Sequence, residues 1–300
     1  MAADPGRGSW LRRPSSSVVG GGVGGAELLL MLAGAAVVLL LPRVFGDPLG
    51  VDPDGWRLTA YFAAVTGATL GIRQLRGSAP LAFAFLTLAF PFSAWLWLIG
   101  YAGPAGGLIG APYGLARNAF AGGAQLVLAL AMGLCFHYLT PAPRPNLRLW
   151  VKPTLFMVGL GVVGTAVFLL IGFALPAPLL GREGVPLLAL SGSGGAALGI
   201  ANATSAIAQE IQFRGVLMAA LERQQSRAAA VVTQGLIFGI AHLAIQYEGP
   251  AYSFIPIVIA LGWAWGWMTI KSRSLLPAML VHVVADFYVL AVVVSGLYGG

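Results

Sequence analysis

Apolar residues run in long blocks along this chain, separated by short polar segments or segments containing Gly and Pro. Nine such blocks recur, near residues 26–41, 56–72, 80–101, 118–140, 153–175, 196–221, 228–246, 252–270 and 275–297. Most approach the roughly 20 residues a helix needs to cross the hydrocarbon core of a bilayer. The pattern predicts an all-α, polytopic membrane protein with about nine transmembrane helices. The first block has the length of a signal-peptide core, yet Pro42–Arg43 follows it and no small-residue cleavage site does. It therefore reads as an uncleaved first span.

The charges between the blocks give the orientation. With the N-terminus inside, Arg7, Arg12, Arg13, Arg73, Arg76, Arg144, Arg148, Lys152, Arg223, Arg227, Lys271 and Arg273 fall on the cytoplasmic side. Arg43, Arg57, Arg117 and Arg182 fall outside, and Arg214 lies within a span. Twelve against four, alternating loop by loop, predicts a cytoplasmic N-terminus and an external C-terminus. Adding or removing one span would break that alternation downstream. Residues 1–25, with three arginines and a Ser/Gly-rich run, read as a disordered cytoplasmic tail. Residues 26–185 follow as N-terminal transmembrane helices, and residues 186–300 form a separate core that carries the chemistry.

Composition agrees with this reading. Of the 300 residues, 58% are hydrophobic and 9% charged, and the mean hydropathy is +0.85; soluble domains carry about 25% charged residues. The net charge of +7 is scattered over short loops, so it marks topology and not nucleic-acid binding. A single cysteine, Cys135, excludes an intrachain disulfide and a CxxC metal site. Gly67/Gly71 and Gly262/Gly266 have the spacing of close helix crossings. Trp95, Trp97, Trp263, Trp265 and Trp267 read in part as interfacial anchors. No internal repeat suggests a transporter built from inverted halves.

Polar residues inside the blocks are the informative exceptions. Gln209, Glu210, Gln212 and Arg214 sit within AQEIQFRGVLMAAL, an otherwise spanning helix. Ionisable groups at that depth are costly and mark function by default. Glu210 and Arg214 stand four apart and share a helix face, as do His282 and Asp286 in HVVAD. His242 ends the FGIAH cluster, with Phe238 one turn before it. Counted from the cytoplasmic ends at 1.5 Å per residue, Glu210 lies at about 18 Å, His242 at about 21 Å and His282 at about 10 Å. The three can meet near the bilayer middle. A lone intramembrane histidine is often structural, and Glu210–Arg214 alone could be a structural ion pair. Three such clusters in three of the last four spans favour one buried, hydrated site. His137, without an acidic companion, reads as interfacial.

At these residues the sequence resembles the CPBP family of CAAX proteases and bacteriocin-processing enzymes, which includes CAAX prenyl protease 2 and lysostaphin resistance protein A-like membrane proteins. The family pattern is E-E-x-x-x-R, then F-x-x-x-H, then H-x-x-x-N/D on successive core helices. Gln209-Glu210 with Arg214, Phe238 with His242, and His282 with Asp286 match it in order and spacing. The resemblance covers about the last hundred residues. It implies an intramembrane endopeptidase, in which a carboxylate activates water while the histidines and Asn/Asp hold that water and the oxyanion. It implies Glu210, His242, His282 and Asp286 as catalytic residues, with Arg214 in support and Gln209 lining the site. No HExxH-like spacing occurs, which favours a mechanism without metal or other cofactor.

The chain departs from the family at Gln209, where the first glutamate is usually given the role of base. An amide takes no proton from water, and Glu210 points about 100° away from Gln209 on a regular helix. Three readings stand: Glu210 has taken over the role with a local helix rotation, the chain is a catalytically silent relative that binds a substrate segment or partner, or Gln209 is an introduced replacement. A transporter or channel fits less well, because the first five spans carry almost no ionisable residue away from their ends. The expected partners are the lipid bilayer and a membrane-anchored or C-terminally processed protein substrate, with no nucleic acid. Ala- and Arg-rich usage with little Lys suggests a GC-rich bacterium, hence multi-pass insertion in the inner membrane.

Overall fold

The computed structural model describes residues 64–68, 71–72, 80–82, 84, 115–140, 144–149, 151–174, 193–242 and 251–289. Among them there is no strand, and every long element is a helix. In chain order these are α1 (Leu115–Leu139), α2 (Leu155–Ala174), α3 (Ser193–Glu210), a π-helical segment (Ile211–Leu217), α4 (Met218–Leu221), α5 (Arg227–Ala241), α6 (Ala251–Ser272) and α7 (Leu276–Val289). The tail at 1–25, the first block at 26–41 and the proposed boundary at 185–186 lie outside the described residues, as does most of the second and third blocks.

Local chemistry sets the helix ends. The Ser226 hydroxyl accepts from the Ala229 N–H at 3.3 Å and caps α5. Thr154 does the same for α2, accepting from Met157 N–H at 3.2 Å. Arg273 turns in the left-handed region, with φ 57°, and ends α6. The Ser274 hydroxyl then accepts from Leu276 N–H at 3.1 Å as α7 begins, with Pro277 in its first turn.

The distribution of polarity is inverted relative to a water-soluble bundle. On α2, Leu155, Phe156, Val162, Val163, Leu170 and Ile171 face outward. Inside, Glu210, Gln212, Arg214, Gln234, Thr269, Ser272 and His282 are buried. An apolar face of that extent is out of place in water and suits hydrocarbon. The stretch Leu155–Gly172, with a mean hydropathy of 2.4, is the one helix among the described residues long and apolar enough to cross a membrane. Arg227–Ala241 and Leu276–Tyr288 are apolar but shorter. At 15 residues α5 spans about 22 Å.

The site helix, running from α3 through the π segment into α4, is the hub. It packs on α1, α5 and α7, while α6 lies against α5 and α7, and α2 against α7. Glycine lets α5 and α6 cross closely. A Cβ on Gly262 would come within 2.9 Å of Gly235 Cα, and one on Gly239 would collide with Ile259. Gln234 crosses the same seam, donating to the Gly262 carbonyl at 2.7 Å. The Gly262/Gly266 pair thus packs as its spacing predicted. Among the described residues, a Cβ on Gly67 or Gly71 would meet nothing within 4 Å.

Three polar turns are stitched together at one end of the bundle. Arg148, in the α1–α2 connection, donates to both carboxylate oxygens of Glu222 at 2.7 Å, at the end of α4. Its carbonyl accepts from Leu275 N–H, at the start of α7, at 3.4 Å. These turns carry Arg144, Lys152, Arg223, Arg227, Lys271 and Arg273, so three loops assigned to one membrane face by charge also lie together in space.

Candidate active site

Glu210 is the last residue before the site helix widens into π geometry. Over Ile211–Leu217 the hydrogen bonds run five residues back, which changes the residues that share a face with Glu210. All seven residues of this segment are buried. A π-helical turn is rare and concentrates at functional sites. It places Arg214 beside Glu210, with Nη1 donating to Oε1 at 2.9 Å and both side chains 0% exposed.

The same Glu210 oxygen faces α7, where His282 Nδ1 lies 2.7 Å from it. Because a carboxylate only accepts, the proton of that bond belongs to His282 Nδ1. The other ring nitrogen, Nε2, faces Asp286 Oδ1 at 3.4 Å, one turn along the helix. A continuous line of four ionisable groups therefore runs Arg214, Glu210, His282, Asp286. Three atoms in it have no protein partner among the described residues: Glu210 Oε2, Arg214 Nε and Arg214 Nη2. Buried polar atoms of this kind cost free energy unless something else satisfies them.

His242 reaches the site from the C-terminal end of α5. Its Nδ1 lies 2.7 Å from the Phe238 carbonyl. A carbonyl only accepts, so Nδ1 carries the hydrogen and a neutral ring presents Nε2 as an acceptor. His242 shares a cavity of about 260 Å³ with His282 and Asp286. Phe238 sits among all three motifs: its ring centroid is 4.5 Å from that of His242 and 5.7 Å from that of His282. The Arg214 guanidinium carbon lies 4.1 Å from its centroid. Phe238 does pack beneath His242, and it also covers the arginine.

Gln209 takes another direction. Its Nε2 donates to Ser205 Oγ at 3.3 Å, and Ser205 in turn donates to Gln125 Oε1 on α1 at 2.9 Å. Neither Gln209, Glu210 nor Arg214 is among the residues lining the cavity, which Glu210 meets through its bond to His282. The structure thus brings Glu210, Arg214, His282 and Asp286 into one line, sets His242 on a cavity with His282 and Asp286, and turns Gln209 toward α1.

Trp265, read from the sequence in part as an interfacial anchor, belongs instead to the site. It is buried, stacks on His282 at 4.3 Å between centroids with 30° between planes, and has the Arg214 guanidinium carbon 5.2 Å from its ring. Its helical register is the signal that marked it: Gly262, Trp265, Gly266 and Thr269 form one i, i+3, i+4, i+7 stripe, and all are buried. Trp263 and Trp267, on the other face, are exposed. Among the described residues, no three of His, Cys, Asp and Glu gather in a set that could hold a metal ion.

Residues 194–288 match the family model described as type II CAAX prenyl endopeptidase, Rce1-like. The match begins in α3 and ends in α7, so it encloses Gln209, Glu210, Arg214, Phe238, His242, Trp265, His282 and Asp286. No curated protein and no solved structure matches the chain.

Proposed function

The segment 194–288 belongs to the CPBP/CAAX protease family, and from that premise we propose that the chain is an intramembrane endopeptidase. The family is membrane-embedded, which gives the chain a membrane location. The substrate is a membrane-anchored or C-terminally processed protein, and no metal or other cofactor enters the reaction. The observation that carries this reading is the 2.7 Å contact between Glu210 and His282, which joins the first and third motifs across 72 positions of sequence.

In this reading Glu210 is the base. Its Oε1 is held by Arg214 and His282, while Oε2 is left to take a proton from water. His242 Nε2, an acceptor in the neutral ring, orients that water. The water oxygen adds to the substrate carbonyl carbon, and His282, protonated on both ring nitrogens, keeps Nδ1–H on Glu210 and turns its Nε2–H from Asp286 to the developing oxyanion. The proton taken by Glu210 passes to the amine as the C–N bond breaks. Arg214 positions the carboxylate, and Gln209 supports the helix through Ser205. The π segment that begins directly after Glu210 favours a rotated site helix, in which residue 210 replaces residue 209 in the role of base.

A second reading rests on Gln209. With an amide where the family carries its first glutamate, the chain binds a substrate segment or partner protein and cleaves nothing.

The wider architecture belongs to the same proposal. Nine spans with a cytoplasmic N-terminus cross the inner membrane, arranged as a tail at 1–25, transmembrane helices at 26–185 and the protease core at 186–300. The three basic turns gathered at one end of the bundle support that orientation. Reporter fusions in successive loops test it.

Cleavage of a membrane-anchored peptide by purified protein in proteoliposomes tests the activity. Loss of cleavage in both His242→Ala and His282→Ala is expected, and unchanged cleavage in either would sink the endopeptidase reading. Substrate capture by the pure protein with no cleavage would favour the silent relative.

A further inference from the structure

His282 is held along its edge by two carboxylates and across its face by one indole. Its Nδ1 lies 2.7 Å from Glu210 Oε1, and its Nε2 lies 3.4 Å from Asp286 Oδ1. An ionised carboxylate only accepts, so both ring nitrogens carry hydrogen and the ring is an imidazolium. Trp265 covers the face of that ring, with 4.3 Å between centroids and 30° between planes. Both side chains are buried.

A second cation converges on the same point. Arg214 donates to the very oxygen of Glu210 that His282 uses, and both of these side chains are sealed from solvent. One oxygen shared by two cations leaves them facing each other across a few ångströms, where like charges repel more strongly than in water. Aromatic rings surround the meeting point. The Arg214 guanidinium carbon lies 4.1 Å from the Phe238 centroid, 5.2 Å from that of Trp265 and 5.9 Å from that of Phe213. Arg214 Nε and Nη2, which have no nitrogen or oxygen partner, therefore have ring faces within cation–π reach. Phe238 meets His282 edge to face, at 86°, whereas Trp265 lies nearly parallel to it. Trp265 is thus the ring that stacks on one cation and stands within reach of the other. Leucine or methionine would fill the same buried position on α6 but present no negative face, and indole presents the best one.

We propose that Trp265 is a positioning residue of this site: its indole face keeps His282 an imidazolium, in the plane that joins Glu210 to Asp286, and offsets the repulsion between His282 and Arg214. The consequence for turnover rests on the endopeptidase reading. The charge state of His282 does not, and can be read with no substrate present.

The test replaces Trp265 in the full-length protein, in phosphatidylcholine nanodiscs, with mono- to tetrafluorinated tryptophan introduced at that position alone. Fluorine drains the ring face of negative charge and leaves its shape nearly unchanged. Nitrogen NMR with isotope in the imidazoles sees only His137, His242 and His282. The His282 signal, assigned by its loss in His282→Gln, shows whether one ring nitrogen or both carry hydrogen. Over a titration, the ratio of imidazolium to neutral ring is expected to fall stepwise with fluorination. At the tetrafluoro ring the fall is about thirtyfold, the scale of a desolvated cation–π contact. For a membrane-anchored peptide kcat falls in the same order while KM holds, because the indole keeps its size. Trp265→Phe, which retains a ring face, loses less than Trp265→Leu. The same fluorination at Trp267, exposed beside Lys271, changes neither readout. A His282 charge state indifferent to fluorination overturns the inference. So does a kcat that stays level, with or without a rise in KM, since Trp265 would then be packing alone. A stepwise fall in the ratio with no peptide cleaved by any form supports the hold of Trp265 on His282 and overturns the endopeptidase reading.

Discussion

His282 Nδ1 and Arg214 Nη1 share one oxygen of Glu210, at 2.7 and 2.9 Å. Two donors on a single carboxylate oxygen fix the orientation of the group and leave its other oxygen without a protein partner. A purely structural ion pair between two fully buried side chains gains most when both oxygens are used. The one-sided arrangement is what a base needs: a fixed carboxylate with a lone pair to spare.

Removing that carboxylate separates stability from chemistry. Glu210→Gln leaves Arg214 buried without its counter-charge, and breaking such a pair costs about 3–5 kcal/mol. Thermal unfolding in detergent is expected to show a marked fall for Glu210→Gln. The double variant Glu210→Gln with Arg214→Met removes both charges and recovers a large part of it. Neither variant is expected to cleave substrate, so stability returns without activity. Recovery of cleavage in the double variant would remove Glu210 from the mechanism.

The two histidines are expected to lose activity alike and stability unequally. Loss of a group that holds the water or the oxyanion lowers kcat by about 10²–10³, and His242→Ala and His282→Ala both fall in that range. His282 is buried, bonded to Glu210 and stacked on Trp265, so its removal also lowers the unfolding temperature. His242 is half-buried at the end of α5, and its removal changes that temperature little. Turnover and melting measured on the same preparations check both halves.

How much of this could be read from the sequence varies from residue to residue. The i, i+4 pairs Glu210–Arg214 and His282–Asp286 follow from helix geometry and are in contact. The gathering of Glu210 and His282 was legible because ionisable groups in hydrocarbon need partners. Trp265 was obscured by its neighbours, because Trp263 and Trp267 made an interfacial girdle the simpler reading. The π segment had no signal in the sequence, since IQFRGVL holds no residue that a regular helix would exclude. That segment alters the facing of residues around 210, which regular 100° spacing could not supply. Helix ends follow the gaps between apolar blocks: Ser226 caps α5 just ahead of the block at 228–246, and Arg273 and Ser274 lie between the blocks at 252–270 and 275–297.

Close crossing of α5 and α6 gives a prediction remote from any ionisable group. Gly262→Ala places a methyl carbon within 2.9 Å of the Gly235 backbone, which cannot move aside as a side-chain tip can. Overpacking of this sort costs about 1–3 kcal/mol. Gly159→Ala, where a Cβ meets nothing within 4 Å, serves as the control and is expected to be neutral. Since α5 ends at His242, the wedge should also reduce turnover, and melting together with kcat for the two variants checks this.

The sharpest division lies at residue 209. Gln209 donates to Ser205, whose hydroxyl is already committed as a donor to Gln125. Gln209→Glu replaces that donor with an acceptor, so Ser205 must abandon Gln125 to satisfy it. A buried polar group left unsatisfied costs about 1–3 kcal/mol, and the variant is expected to melt lower than the parent. With Glu210 already held toward His282, the added carboxylate faces α1 and contributes nothing to the cavity, so turnover should not rise. A gain in kcat of about a hundredfold, the scale of one general base, would instead place the base at 209 and identify the chain as a silent relative. Parallel proteoliposome assays of the parent and Gln209→Glu, each with its melting curve, decide between a rotated site helix that uses Glu210 and a scaffold whose base is missing.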